Sequence, residues 1–167
     1  FDLKQNKRGR LSEYLDKYPD AEFRAGETPW SISRDAAFPC ATQNELNEED
    51  AKVLVENGCR LISEGANMPC TMEAIEVFQK NRVLYAPGKA SNAGGVAVSG
   101  LEMAQNATHS SWTREEVDQK LLQIMKDIHS QCEEYGKTDD GTIDYVKGAN
   151  IAGFVRVADA MLQQGHV

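Results

Sequence analysis

The chain has 167 residues, a length that suits one domain with a real hydrophobic core and leaves no room for two full enzyme domains. Hydrophobic residues at 41% and charged residues at 26% exclude a disordered tail, and no apolar run approaches the roughly 20 residues of a membrane span. With 18 basic against 26 acidic side chains and a net charge of −8, the chain lacks the basic surface that a grip on nucleic acid phosphates requires, so neither nucleic acid nor a membrane is expected as a partner.

In chain order, residues 1–18 read as a helix with Leu3, Leu11, Tyr14, Leu15 and Tyr18 on a broad apolar face. Residues 19–33 carry Gly26 and Pro29 and read as a surface connection anchored by Trp30. Residues 36–40 form a short apolar run, Asn47 caps a helix over 48–57, and Gly58 stops it. A strand is expected at 60–63 and a loop at 64–69. Thr71 then caps a helix through Lys80 with Ile75 and Phe78 facing inward, and a third strand follows at 83–86. Short apolar strands alternating with helices of about ten residues predict a parallel sheet with crossover helices, an α/β fold.

Beyond the third strand, the loop at 87–92 leads into a helix expected over 95–107. Ser111 or Thr113 caps a long helix to Tyr135, in which Val117, Leu121, Ile124, Ile128 and Cys132 recur at helical spacing as a core stripe. Residues 136–141 read as a polar turn and 149–164 as a final apolar helix. Cys40, Cys59, Cys70 and Cys132 form no CxxC pair, and His109, His129 and His166 lie far apart. That pattern predicts reduced thiols and no metal site. The N-terminus shows no signal-peptide succession, and a cytoplasmic location is expected.

Ligands of open parallel sheets bind beyond the carboxyl ends of the strands. Three loops take that position here, at 39–45, 64–69 and 86–95, each rich in Asn, Gln, Thr and Gly. For each loop two readings stand: helix caps and turns, or groups that bond a neutral polar ligand at close range. Asn67 and Asn92 are placed to aim carboxamides into the crevice, and the glycines after Asn92 admit close backbone approach. Ser99 offers a hydroxyl on the same helix face as Val96, or is a small packing residue. Lys89 reads as a solvated loop charge or, against that, a catalytic base. The stretch at 95–100 matches the start of a phosphate-binding P-loop, but Leu101-Glu102 stands where Lys-Ser/Thr is required; no GxGxxG, HExxH or GxSxG occurs.

Four blocks then carry a likeness across essentially the whole chain: PCATQNEL at 39–46, EGANMP at 64–69, APGKASNAGGVAVSGLEMAQN at 86–106 and GANIAGF at 148–154. Together and in this order they resemble the C-terminal part of a hexameric, NADP-dependent glutamate dehydrogenase. The resemblance implies the C-terminal half of a Rossmann-like parallel sheet with flanking helices, with residues 1–148 in the nucleotide-binding domain and 149–167 forming a helix that returns towards a substrate domain. It implies reversible oxidative deamination of L-glutamate to 2-oxoglutarate and ammonia with NADP, NAD being the alternative. It further implies that Ala41 and Thr42 line the coenzyme, that Asn67 and Asn92 hold its nicotinamide ribose and carboxamide region, that Gly95 and Val96 wall the substrate, and that Ser99 bonds the substrate's side-chain carboxylate. The catalytic lysine and aspartate, the glycine-rich pyrophosphate turn and most of the hexamer contacts belong to parts of such an enzyme that precede this stretch. The chain is therefore expected to be a fragment, inactive alone, with an exposed sheet edge that promotes self-association. Its last helix is expected to pack elsewhere or to expose Ile151, Phe154, Val155 and Val157. Two alternatives are a sibling amino-acid dehydrogenase with another substrate and a non-catalytic nucleotide-fold binding module.

Overall fold

The architecture follows from how the local signals are met. The computed structural model describes residues 1–165. His166 and the last residue of the expected C-terminal segment lie outside the described residues. Three strands, β1 (Ala36–Ala37), β2 (Leu61–Ser63) and β3 (Leu84–Ala86), form a parallel sheet in the order β1-β2-β3. Among the described residues six α-helices accompany them: α1 (Glu48–Glu56), α2 (Met72–Lys80), α3 (Gly88–Ser91), α4 (Ala93–Thr108), α5 (Arg114–Gly136) and α6 (Tyr145–Gln164).

The caps explain why the helices start where they do. Asn47 accepts the N–H groups of Glu49 and Asp50, and Asp50 returns a bond to the Asn47 backbone. Thr71 accepts from Ala74. Thr113, not Ser111, caps α5, in a reciprocal arrangement with Glu116. Gly58 takes φ +82° just beyond α1, a left-handed turn that favours glycine.

The register Ala37–Ile62–Tyr85 puts one row of side chains on the face covered by α1 and α2. There Leu46, Ala51, Leu54, Ile62, Ala74 and Phe78 are buried, and the Phe78 and Tyr85 rings stack with centroids 6.0 Å apart. Trp30 closes this core from the connecting segment, its Nε1 donating to the Glu45 carbonyl at 3.3 Å. The alternate row, Ala36–Leu61–Leu84, faces the other way. Leu61 is half-buried and Leu84 exposed. The α5/α6 pair meets the sheet at β3, through α6.

Four local expectations are corrected. Residues 1–18 are not one helix: they form a wide turn at Asp2–Asn6 and a 3₁₀ turn at Leu11–Asp16, separated by Arg8 at φ 54° and Gly9. Leu11, Tyr14 and Tyr18 remain largely exposed, so the apolar stripe has no surface to bury against, and a short isolated helix is marginal without one. The first strand ends at Ala37 because Pro39 has no N–H for a ladder; its carbonyl instead accepts from Gly65 and Ala66 at 2.9 and 3.2 Å. The helix expected from Gly95 starts at Ala93, preceded by the single turn of α3. The last helix starts at Tyr145, not Ala149, because Asp144 caps it through the N–H of Lys147 at 3.0 Å.

Candidate functional site

All three parallel strands end on one rim, and the loops that follow are joined to one another there. Pro39 of the first loop accepts two N–H groups from the second. Asn44 and Leu46 donate to the carbonyls of Met68 and Pro69 at 2.9 and 3.0 Å, and Thr71 donates back to Leu46 at 3.0 Å. A hydroxyl of the third loop, Ser91 Oγ, donates to the Glu64 carbonyl at 2.6 Å. Gly65 fits because a Cβ there would run into the Cys40 side chain.

Asn67 and Asn92 meet on this rim although they are 25 residues apart. Asn92 Nδ2 donates to Asn67 Oδ1 at 2.8 Å and to the Ala66 carbonyl at 3.1 Å. Among the described residues these bonds use one donor group and one acceptor, so Asn92 Oδ1 and the Asn67 amide N–H groups remain for a ligand. Asn92 is also the junction of α3 and α4, which places it at the start of a helical stripe. Gly95 or Val96 and then Ser99 follow on that face, and seven residues of helix span about 10 Å.

Gly95 and Ser99 are exposed, a Cβ at Gly95 would meet open space, and Val96 is 79% exposed. Ser99 Oγ donates to the Gly95 carbonyl at 3.2 Å, a bond that a better acceptor can displace. Ala41 and Thr42 are exposed on the first loop, and the Ala41 N–H donates to Glu45 at 2.7 Å. The structure thus brings Asn67 and Asn92 into direct contact, sets Gly95, Val96 and Ser99 along the helix that leads from them, and leaves Ala41 and Thr42 on the neighbouring loop without a bond to either asparagine. Lys89 Nζ is bonded to Asn150 Oδ1 of α6 at 2.5 Å.

A cavity of about 640 Å³ opens between β3, α3 and α5, lined by Ser63, Ala86, Ser91, Met125, His129 and Tyr145 among others, and contains none of these seven residues. Among the described residues there is no cluster of three or more His, Cys, Asp or Glu able to hold a metal ion. No helix there is long and apolar enough to cross a membrane.

One residue under the rim has no role in the sequence reading. Glu64, only 5% exposed, directs Oε1 to the N–H of Cys70 at 3.2 Å and Oε2 to the N–H of Gly88 at 2.6 Å. Burial pushes the Cys70 thiol well up, and the Glu64 carboxylate adds to it; burial and then Glu64 do the same to the Tyr85 hydroxyl. The available signal was a glutamate directly after an apolar strand and before glycine, where an exposed charge would be commonplace.

The sequence pattern of the Glutamate/Leucine/Phenylalanine/Valine dehydrogenases matches residues 1–165. The NAD-specific glutamate dehydrogenase of Porphyromonas gingivalis is 57% identical over 165 residues, covering 99% of this chain and 37% of its own length. The NADP-specific glutamate dehydrogenase of Haemophilus influenzae is 54% identical over 166 residues, again 99% and 37%. The crystal structure of Plasmodium falciparum glutamate dehydrogenase superposes with a TM-score of 0.95 at 49% identity, over 100% of this chain and 36% of that one. The chain therefore spans a little over a third of the length of the relatives it matches. With the pattern running from the first residue to the last one described, this chain belongs to the Glutamate/Leucine/Phenylalanine/Valine dehydrogenase family.

Proposed function

We propose that this chain supplies the coenzyme rim and part of the substrate wall of a glutamate dehydrogenase, acting within a polypeptide of its relatives' length. The observation that carries the reading is the Asn67–Asn92 pair at the strand ends. Its remaining amide donor and carbonyl acceptor fit ribose hydroxyls and a carboxamide, and the exposed glycine at Gly95 leaves space beside them. These groups suit a nicotinamide nucleotide. When bound, such a coenzyme accepts and returns the hydride of the reaction.

The chain's own residues orient and enclose. Asn67 and Asn92 fix the nicotinamide end, and Ala41 and Thr42 flank it on the adjoining loop. Gly95 and Val96 bound the amino acid. Ser99 donates its hydroxyl to the side-chain carboxylate, exchanging the Gly95 carbonyl for a charged acceptor. The lysine and aspartate that move protons lie, in this reading, outside the 167 residues, and the hexamer rests mainly on contacts outside them too. Relatives specific for NAD and for NADP match this stretch almost equally well, at 57% and 54% identity. NADP remains the coenzyme proposed, with NAD as the alternative, and a cytoplasmic location is proposed with it.

The test uses the full-length enzyme. Asn92→Ala is expected to raise the coenzyme KM, whereas Ser99→Val is expected to lower kcat/KM for glutamate by about 1–3 kcal/mol of transition-state binding, through loss of a hydrogen bond to a charged group, with the coenzyme KM unchanged. Steady-state kinetics with each substrate varied in turn separate the two. Glutamate kinetics unaltered in Ser99→Val remove Ser99 from the site.

A further inference from the structure

Glu64 is the buried charged side chain of the described core. Taking a carboxylate out of water is expensive, and an apolar residue would fill the same volume at less cost. What an apolar residue does not provide is two acceptors facing opposite loops. Oε1 takes the N–H of Cys70, which closes the loop carrying Asn67, and Oε2 takes the N–H of Gly88, which opens the turn ending at Asn92. The Glu64 carbonyl is bonded as well, by Ser91 Oγ.

The geometry at Gly88 shows how tightly these parts converge. A Cβ there would lie 3.0 Å from the Ala66 carbonyl, 3.1 Å from Glu64 Oε2 and 3.5 Å from Asn92 Nδ2. Glu64, Ala66, Gly88 and Asn92 therefore share one crowded point directly below the Asn67–Asn92 bond.

We propose that Glu64 is a positioning residue for the coenzyme: its two carboxylate oxygens clamp the 64–70 loop to the 87–92 turn and so hold the Asn67 and Asn92 amides in register. The proposal rests on the reading of those asparagines as coenzyme contacts. A carboxylate accepts at both oxygens, whereas a glutamine presents N–H groups on one side, where a backbone N–H already points. Glu64→Gln keeps the volume but turns one of the two clamps into an opposed pair of donors.

The experiment takes the full-length enzyme with Glu64→Gln, Asn92→Ala and the double variant, and titrates reduced nicotinamide coenzyme by its fluorescence alongside glutamate kinetics. For Glu64→Gln the coenzyme Kd is expected to rise about tenfold, with the glutamate KM at saturating coenzyme shifted less than about twofold. Because Glu64 acts by holding the Asn67–Asn92 pair in register, and Asn92→Ala already breaks that pair, the double variant is expected to bind coenzyme within about twofold of Asn92→Ala alone. A folded Glu64→Gln that binds coenzyme as the parent does, while Asn92→Ala binds weakly, overturns the positioning role and leaves the coenzyme reading standing. Additive effects in the double variant overturn it in the same way. Unchanged coenzyme binding in Asn92→Ala sinks the coenzyme reading itself and the positioning role with it. If Glu64→Gln fails to fold by circular dichroism, Gly88→Ala, which wedges the same point apart, takes its place under the same criteria.

Discussion

Asp140 sits in the turn between α5 and α6, where its Oδ1 accepts from Thr138 Oγ1 at 2.6 Å, from Thr142 Oγ1 at 2.7 Å and from the Thr142 N–H at 3.2 Å. These donors, Thr138 first, hold its carboxyl down to about 2 against an ordinary 3.8. A carboxylate whose folded-state value is depressed stabilises the fold above the unfolded value and loses that contribution as pH falls through the folded one. The turn is therefore expected to weaken between about pH 3.8 and about pH 2. An NMR titration of Asp140 with a midpoint near 2 supports this, and a midpoint near 4 refutes it. The group is solvent-exposed, so the effect on global stability is small. This bond set was open to sequence reading, since Thr-x-Asp-x-Thr places both hydroxyls within a turn of one carboxylate. The pairing of Asn67 with Asn92 was legible only in kind: each lay at a strand end with an amide, but nothing in either loop states that one amide would bond the other. Glu64 was not legible at all, because a glutamate ahead of glycine has the same appearance whether it is solvated or clamping two loops.

Among the elements, α5 and α6 show how near two backbones come when glycine faces backbone. A Cβ at Gly148 would strike the carbonyl of Cys132, and one at Gly136 would lie 2.5 Å from the Asp144 carbonyl oxygen. Both glycines are buried. Gly148→Val is expected to push the two helices apart and destabilise the protein by about 1–3 kcal/mol, as overpacking does. A lowered urea midpoint at unchanged m-value is the measurement, and an unchanged midpoint contradicts the close approach. The same glycine explains why the start of α6 escaped the sequence reading. Lys147-Gly148 looks like a break ahead of a helix, whereas it is one turn inside, with the glycine there for the neighbour's sake. The stripe Val117, Leu121, Ile124, Ile128 and Cys132 was readable because its partners cover it: all five are at least half-buried. The equally regular stripe over 1–18 was misleading, since no surface is offered to it.

For the molecule as a whole, the unfinished part is the sheet. Among the described residues β1 pairs on one side only, with β2, and Leu84 on the less covered face is 56% exposed. Of the four positions expected to show on the last helix, Phe154 and Val157 are 71% and 59% exposed, and Ile151 and Val155 are half-buried against their neighbours. An open edge beside uncovered apolar side chains invites pairing. The 167 residues prepared alone are expected to sediment as dimers or larger species at micromolar concentration, and a single compact monomer in sedimentation velocity contradicts this.

Caps, stops and hydrophobic spacing act within about a dozen neighbours, so the parallel α/β order, most helix limits and the run of amide- and glycine-rich loops along one rim could be read from the residue order, as could the family. The bonds that tie those loops together on the rim join residues 24 and 25 positions apart. Their partners are chosen by how the strands pair and how closely the helices approach, and such contacts leave no local pattern, because a side chain's nearest neighbours in space exist only once the chain has folded.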